Sequence, residues 1–453
     1  MIKQITDKNG DIYDVEFSDD EKTLVRFPRY FCGEYIIPDS VTTIGNNAFR
    51  CCEKLESIKM PNSVTFIGEN VFSGCRCLNF IKISDYVTRI GENAFVGCSR
   101  LKSIEIPNFV TKIGFQAFSN CTSLASIVIP NSVISIEEAA FSHCESLESV
   151  KISESVKSIG THAFFDCNHL ISIDIPNSVR RIGQYAFAGC NGLTSIFIGN
   201  SVLTIGAFAF ADCCSLTSVD IPSSVISIGS YAFSGCRELI TVNIPNSVKF
   251  IRSGTFYNCE KLTFINIPDS IRSIGHSAFY SCDNLVSITI PHSVKKIGEG
   301  VFYGCYNLNS IIIPNSVKSI GKWAFFFCSG LTSVTLPDSM TEINAHVFSN
   351  CGRLTSVEIP NSVKRIGDSA FWNCDLTLID IPNSVMSIGD CAFATCNVQA
   401  IHMRHECVNQ IDVSDTAFKD CAENCTLYVP ACAEYAYCHH PVFSKFKKIV
   451  IEK

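Results

Sequence analysis

The sequence predicts an α/β repeat solenoid. Three observations carry that reading: a 23-residue period, an unbroken register over most of the chain, and two hydrophobic periodicities alternating inside every repeat. The motif Ile-Pro-Asn-Ser-Val-x-x-Ile-Gly-x-x-Ala-Phe-x-x-Cys-x-x-Leu-x-Ser-Ile-x places its proline at Pro38, Pro61, Pro107, Pro130, Pro176, Pro222, Pro245, Pro268, Pro291, Pro314, Pro337 and Pro360. Ser84, Ser153 and Gly199 fill the missing steps. The 322 residues from Pro38 to Pro360 are fourteen steps of 23 without insertion or deletion, as the stacking of one structural unit demands. Because a stacked repeat touches only its neighbours, the 453 residues are expected to form one elongated domain rather than two or three globular ones.

The elements follow in chain order. Residues 1–36 lie outside the repeat, but apolar and polar residues alternate in Ile12 to Phe17 and in Thr23 to Phe27, with the turn-forming Ser18 to Lys22 between them. This predicts a β-hairpin that covers the open first coil. Residues 37–403 are the repeats. In each, Ala48, Phe49, Cys52 and Leu55 and their equivalents recur every three places, as in a short helical or 3₁₀ turn. Leu55, Ile58 and Met60 then shift toward alternation, as in a strand. Pro61-Asn62-Ser63 and its copies end that strand, since proline donates no N–H and Asn bonds its own backbone.

A glycine follows seven places after the proline, at Gly45, Gly68, Gly91, Gly114, Gly160 and Gly183 among others, with Glu137, Arg252 and Asn344 as exceptions. Glu and Arg tolerate positive φ poorly, so the exceptions favour close packing over a left-handed backbone. Equivalent residues in stacked coils stand about 4.8 Å apart, which makes Phe49 to Phe393 one aromatic spine. The period slips at Cys374 and Leu376, and the step from Pro360 to Pro382 is 22. Residues 404–453 read as a degenerate last repeat and a C-terminal cap, with strands at Leu427 to Pro430 and Phe446 to Ile451 and a helix at Glu434 to His440.

These repeats resemble the BspA-type, or Treponema pallidum-type, leucine-rich repeat over about residues 23 to 453. The resemblance implies a right-handed leucine-rich-repeat superhelix with a parallel β-sheet on its concave face and short helical or 3₁₀ turns elsewhere. It also implies a non-enzymatic protein of the cell surface or secreted space that binds host proteins or other cells.

Composition narrows the partners. Charged residues make up 17% of the chain, net charge is −7, and no basic run exists, so neither nucleic acid nor an anionic membrane is an expected partner. No window reaches the roughly eighteen apolar residues of a membrane span. The polar N-terminal residues lack a secretory apolar stretch, so the chain by itself reads as cytoplasmic, against the surface location that the resemblance implies.

Seventeen of the 26 cysteines fall in the repeat column from Cys52 to Cys421. Parallel Cβ vectors about 4.8 Å apart do not suit a disulfide, so buried free thiols are expected there. Cys407, Cys425, Cys432 and Cys438 gather beside His402, His405, His439 and His440, but His402-x-x-His405-x-Cys407 matches no zinc spacing. No metal site or cofactor is expected. No Gly-x-Ser-x-Gly, phosphate loop or dinucleotide fingerprint occurs, and the many serines form a regular column, so no catalytic site is expected.

The second and fourth places after each Leu point away from the interior. The second is nearly always Ser, with Phe80 and Phe264 as exceptions. The fourth varies, through Lys59, Lys82, Glu105, Asp174, Phe197, Asp220, Asn243, Asn266, Glu358 and Asp380. A position that mixes Lys, Asp and Phe faces solvent, and partner specificity is expected to be written there. The sequence therefore predicts a monomeric, non-catalytic scaffold that binds another protein, with Phe80, Phe197 and Phe264 as anchors. An intracellular assembly scaffold is the alternative.

Overall fold

The computed structural model describes residues 1–452. They fall into two compact units, one from Met1 to Cys236 and one from Arg237 onward.

The first unit opens with three antiparallel strands, β1 (Ile2–Thr6), β2 (Ile12–Phe17) and β3 (Thr23–Arg26). Alternation turns Val15, Phe17 and Leu24 inward. β3 then pairs in parallel with Thr43–Ile44, which ties this sheet to the first coil. A further strand, β4 (Gly33–Ile36), already belongs to the parallel stack, because Tyr35 pairs with Ile58 and is buried. From there the coils repeat. In one of them Val110, Ile113, Ala117, Phe118, Cys121, Leu124, Ile127 and Ile129 are all at most 2% exposed, so every apolar motif position is core.

Two parallel ladders run along this unit, not one. Ser126–Val128, Ser149–Lys151, Ser172–Ile175 and Ser195–Ile198 form the expected ladder in register. A second is built from two-residue strands at Lys112–Ile113, Ser135–Ile136, Ser158–Ile159, Arg181–Ile182, Thr204–Ile205 and Ser227–Ile228. Two residues are too few to show a period in sequence, which is why the Val-x-x-Ile segment did not read as strand.

The second unit has the same build. Thr241–Asn243 pairs with Phe264–Asn266, and Ser310–Ile312 with Ser333–Thr335. The shortened repeat at Cys374 and Leu376 keeps its strand in register, with Asp380 opposite His402. Thr426–Pro430 and Lys448–Glu452 close the sheet. Against them lies α1 (Glu434–His439), whose buried Tyr437 donates its hydroxyl to the carbonyl of His405 at 3.2 Å.

The segment expected to form helical or 3₁₀ turns has a different backbone. Among the described residues, helices occur only between 408 and 445. In the coil at Asn47 to Cys52, Ala48, Arg50 and Cys52 donate N–H to the carbonyl three residues back, as a 3₁₀ turn would, at 3.2, 3.0 and 3.1 Å. The alternate residues Asn47, Phe49 and Cys51 donate instead to Glu69, Val71 and Ser73 of the next coil, at 2.8, 3.0 and 2.7 Å. Asn47 and Cys51 reach across because their φ angles are +61° and +60°. Two left-handed residues per coil interrupt any helix and convert half of its donors into links between coils. Serines of the Pro-Asn-Ser turn add further links, as Ser178 to the carbonyl of Val156 at 2.7 Å.

The glycine column does not need positive φ. A Cβ on Gly91 would stand 2.2 Å from the carbonyl oxygen of Gly68, and one on Gly183 2.4 Å from the carbonyl carbon of Gly160. Close approach of coil to coil fixes this residue, as Glu137, Arg252 and Asn344 suggested, and none of those three has positive φ either.

All seventeen column cysteines are buried free thiols. Most have a use beyond filling space: Cys98 donates its S–H to the carbonyl of Phe72, Cys121 to Phe95 and Cys144 to Phe118, each at 3.2 Å. That carbonyl already accepts the amide of its own coil's Cys, as Phe72 does from Cys75. The thiol supplies its second donor where water cannot enter. Phenylalanine rings stack along each unit, 5.1 to 5.5 Å apart from Phe49 to Phe233 and 5.3 to 5.7 Å from Phe256 to Phe418.

Candidate protein-binding face

The three-residue strands position the candidate residues. Leu, its third and its fifth successor are buried in every coil except at the half-buried Ile196, so the strand pleat turns the second and fourth outward. In the first unit Lys59, Phe80, Lys82, Glu105, Asp174, Phe197 and Asp220 are all exposed. Phe80 and Phe197 leave 56% and 50% of their surface in water. Lys59 stands opposite Lys82, and Asp174 opposite Phe197, on neighbouring strands. The two lysines thus form a short positive stretch, and Glu105 follows them in the same column.

In the second unit Asn243, Phe264, Asn266, Glu358 and Asp380 are exposed, and Phe264 is 56% in water. Asp380 is not a free charge. Arg404 holds both its oxygens, at 2.9 and 2.7 Å, and also reaches Glu452. Glu452 in turn pairs with His402, whose ring stacks on Tyr428 at 4.6 Å.

Sequence reading missed one column of this face. The place directly after Leu carries the exposed Ile171 in the first unit and Ile240 and Val286 in the second. Thr263 donates its amide to Ile240, and Val286 donates to Thr263, so these two aliphatics flank the strand that presents Phe264. The signal was available: three bulky aliphatics stand in a column of mostly Thr, Asn, Glu and Lys.

The C-terminal Cys and His residues are engaged elsewhere. His405 is buried and donates Nε2–H to the carbonyl of Val385 at 2.7 Å, which leaves Nδ1 unprotonated and without a partner. Burial holds its pKa below the usual imidazole range. Cys407 is exposed, and His439 bonds the carbonyl of Tyr435. Among the described residues no His, Cys, Asp and Glu side chains group as a metal site, and no helix is long and apolar enough to cross a membrane.

Parallel strands in 23-residue register, a buried Leu, Ile and Phe set and a variable outward column define a leucine-rich-repeat scaffold, a class built for protein interaction. The BspA type leucine rich repeat region model matches residues 30–147, 111–240, 249–377 and 364–451, and the chain belongs to that family. Among solved structures it is similar to a leucine-rich repeat protein from Bacteroides ovatus ATCC 8483, with 30% identity over 81% of this chain and 98% of that one and a TM-score of 0.58. It is also similar to a leucine rich cell surface protein from Faecalibacterium prausnitzii A2-165, with 29% identity over 73% and 94% of the two chains and a TM-score of 0.46. No curated protein matches the chain.

Proposed function

We propose that this chain is a non-catalytic adhesion or recognition scaffold that binds another protein on the face of its three-residue strands. The observation that supports this most is the outward fourth-place column: its residues are exposed and vary from Lys through Asp to Phe, beside an outward second-place column that is nearly always Ser. Exposed aromatics flanked by polar residues are the usual anchors of an interface, and Phe80, Phe197 and Phe264 are such residues. Lys59 and Lys82 would meet an acidic part of the partner.

The test replaces Phe197 and Phe264 with Ser and measures binding to a protein captured on the unaltered chain. Truncating a true anchor costs about 2 kcal/mol or more, so affinity should fall at least about 30-fold per anchor used, with an unchanged circular dichroism spectrum. Undiminished affinity would remove the strand face from the reading. A scaffold inside a reducing compartment is the second reading, favoured by the 26 free cysteines. Cell fractionation separates the two.

A further inference from the structure

On the turn side of the coils, two columns of side chains exchange size between the units. In the first unit the second place after the glycine column carries His162, Tyr185, Phe208 and Tyr231, whose rings stack at 4.9, 4.6 and 4.9 Å within 7° of parallel. All four have φ near +55°. Beside them, the fifth place is mostly small, with Ala188, Ala211 and Ser234. In the second unit the fifth place carries the rings instead: Tyr257, Tyr280, Tyr303 and Phe326 stack at 4.7, 4.4 and 4.9 Å. There the second place is empty of rings at Gly254, Ser277 and Gly300, and is filled again at Trp323 and His346.

The vacated rungs leave a cavity of about 320 Å³ within the second unit. Its lining comprises Ser277 and Gly300 from the vacated places, the mutually stacked Tyr280 and Tyr303, and the polar His276 and Glu299. Trp323 and Phe326, from the next coil, also line it. One face of the Trp323 indole stacks on His346, with centroids 5.8 Å apart. The opposite face looks toward coil 300, where glycine offers no ring.

The polar groups are set for a ligand that both donates and accepts. The amide of Glu299 donates to His276 Nδ1 at 3.2 Å, so the neutral His276 ring carries its proton on Nε2 and can donate there. The Glu299 side chain is half exposed and supplies acceptor oxygens. Ser277 and the two phenols add hydroxyls, and burial together with the neighbouring Tyr303 and Tyr257 pushes the Tyr280 phenol up to about 12, so it remains a donor.

We propose that this cavity is a carbohydrate site that takes one pyranose residue of a glycan. The C–H face of the sugar lies on the free face of Trp323, and its hydroxyls bond Glu299, His276 and Ser277. Two other ligand classes fit less well. An organic cation is held best by several ring faces, but here only Trp323 has one free, since Tyr280 and Tyr303 stack theirs on each other. Lys322 also follows Glu299 in the same column. A flat apolar ring would leave the carboxylate, imidazole and hydroxyls desolvated without partners.

The chain has two tryptophans, so Trp372→Phe makes Trp323 the only indole reporter. In that background the full chain is titrated with the methyl glycosides of glucose, galactose, mannose and N-acetylglucosamine and with their β-linked trimers. At least one should change Trp323 emission saturably. Gly300→Tyr restores the missing rung, in the same left-handed conformation that Tyr185 and Tyr231 adopt, and its Cβ meets nothing nearer than 3.6 Å. It should lower affinity at least about tenfold with an unchanged far-ultraviolet spectrum, since it fills the cavity and covers the indole. Trp323→Ala, read by calorimetry, should do the same and decides the matter if Gly300→Tyr misfolds. The proposal is overturned if no sugar of the panel binds, if these replacements leave affinity unchanged, or if tetramethylammonium or phenol saturates the site while sugars do not.

Discussion

At the scale of single residues, burial without water sets what each column accepts. The thiol column shows this through its acidity: burial pushes Cys144 and Cys190 up to about 12 from the ordinary 9.0, and Cys121, Cys167 and Cys213 move the same way. Unfolding releases thiols that ionise near 9.0, whereas the folded chain keeps them protonated. Between those values the unfolded state binds fewer protons, so stability must fall as pH rises above about 9. Chemical unfolding followed from pH 7 to pH 10.5 should show that decline, and a flat profile would contradict buried column thiols. The glycine column gives a paired expectation. Gly91→Ala forces a Cβ against backbone at 2.2 Å and should cost about 1–3 kcal/mol or more, while Gly352→Ala meets nothing within 4 Å and should be nearly neutral. Thermal melts of the two variants distinguish them.

At the scale of elements, the C-terminal cap depends on a neutral histidine. His405 donates to Val385 and accepts from no group at Nδ1, while its own carbonyl holds Tyr437 of α1. A second proton on this ring would be a buried charge without a partner. Its pKa lies below the usual value, so the cap has its full stability above about pH 6.5 and loses it as pH falls further. Hydrogen exchange of residues 426–446, corrected for intrinsic rates, should show the cap opening more readily at pH 5 than at pH 7. His405→Gln should flatten that difference. The turn segments teach a related lesson about elements: a three-residue apolar spacing looked like a helix, yet Asn47 and Cys51 at positive φ redirect alternate amides to the next coil. The positions accept Asn, Gly, Asp, His and even Trp323, so composition gave little sign of them. What the column nearly excludes is β-branched side chains, Thr395 being the exception, and that is the trace a reader of the sequence had available.

At the scale of the whole molecule, stability is a sum over neighbouring coils within each unit. Deleting residues 116–138 removes one complete 23-residue coil and joins Phe115 to Ala139 in register, so the chain should still fold, with a modestly lower melting temperature. Deleting residues 117–138 shifts Phe141 and its successors by one place relative to the preceding glycine, and drives a ring from the spine toward solvent. That variant should bind a hydrophobic dye and lose its cooperative melt. Equal behaviour of the two deletions would mean that register is not what holds the stack. The natural 22-residue step at Cys374 is tolerated because the shortening falls between Cys374 and Leu376, after the Phe371 ring has been placed.

The sequence by itself determined the repeat, its period, the inward Phe, Cys and Leu columns and the outward variable column, because each rests on a local rule about which residue types can be buried. It also separated the two explanations of the glycine column through Glu137, Arg252 and Asn344. It did not determine the second ladder of two-residue strands, the left-handed pairs in each turn, the Arg404 clamp on Asp380 or the cavity before Trp323. Those depend on residues 22 to 48 positions apart meeting across coils, and no periodicity within one coil records such a meeting. Gly300 is the clearest case: in sequence it is one small residue among many, and only the stacking of Tyr280, Tyr303 and Trp323 around it makes its missing side chain a site.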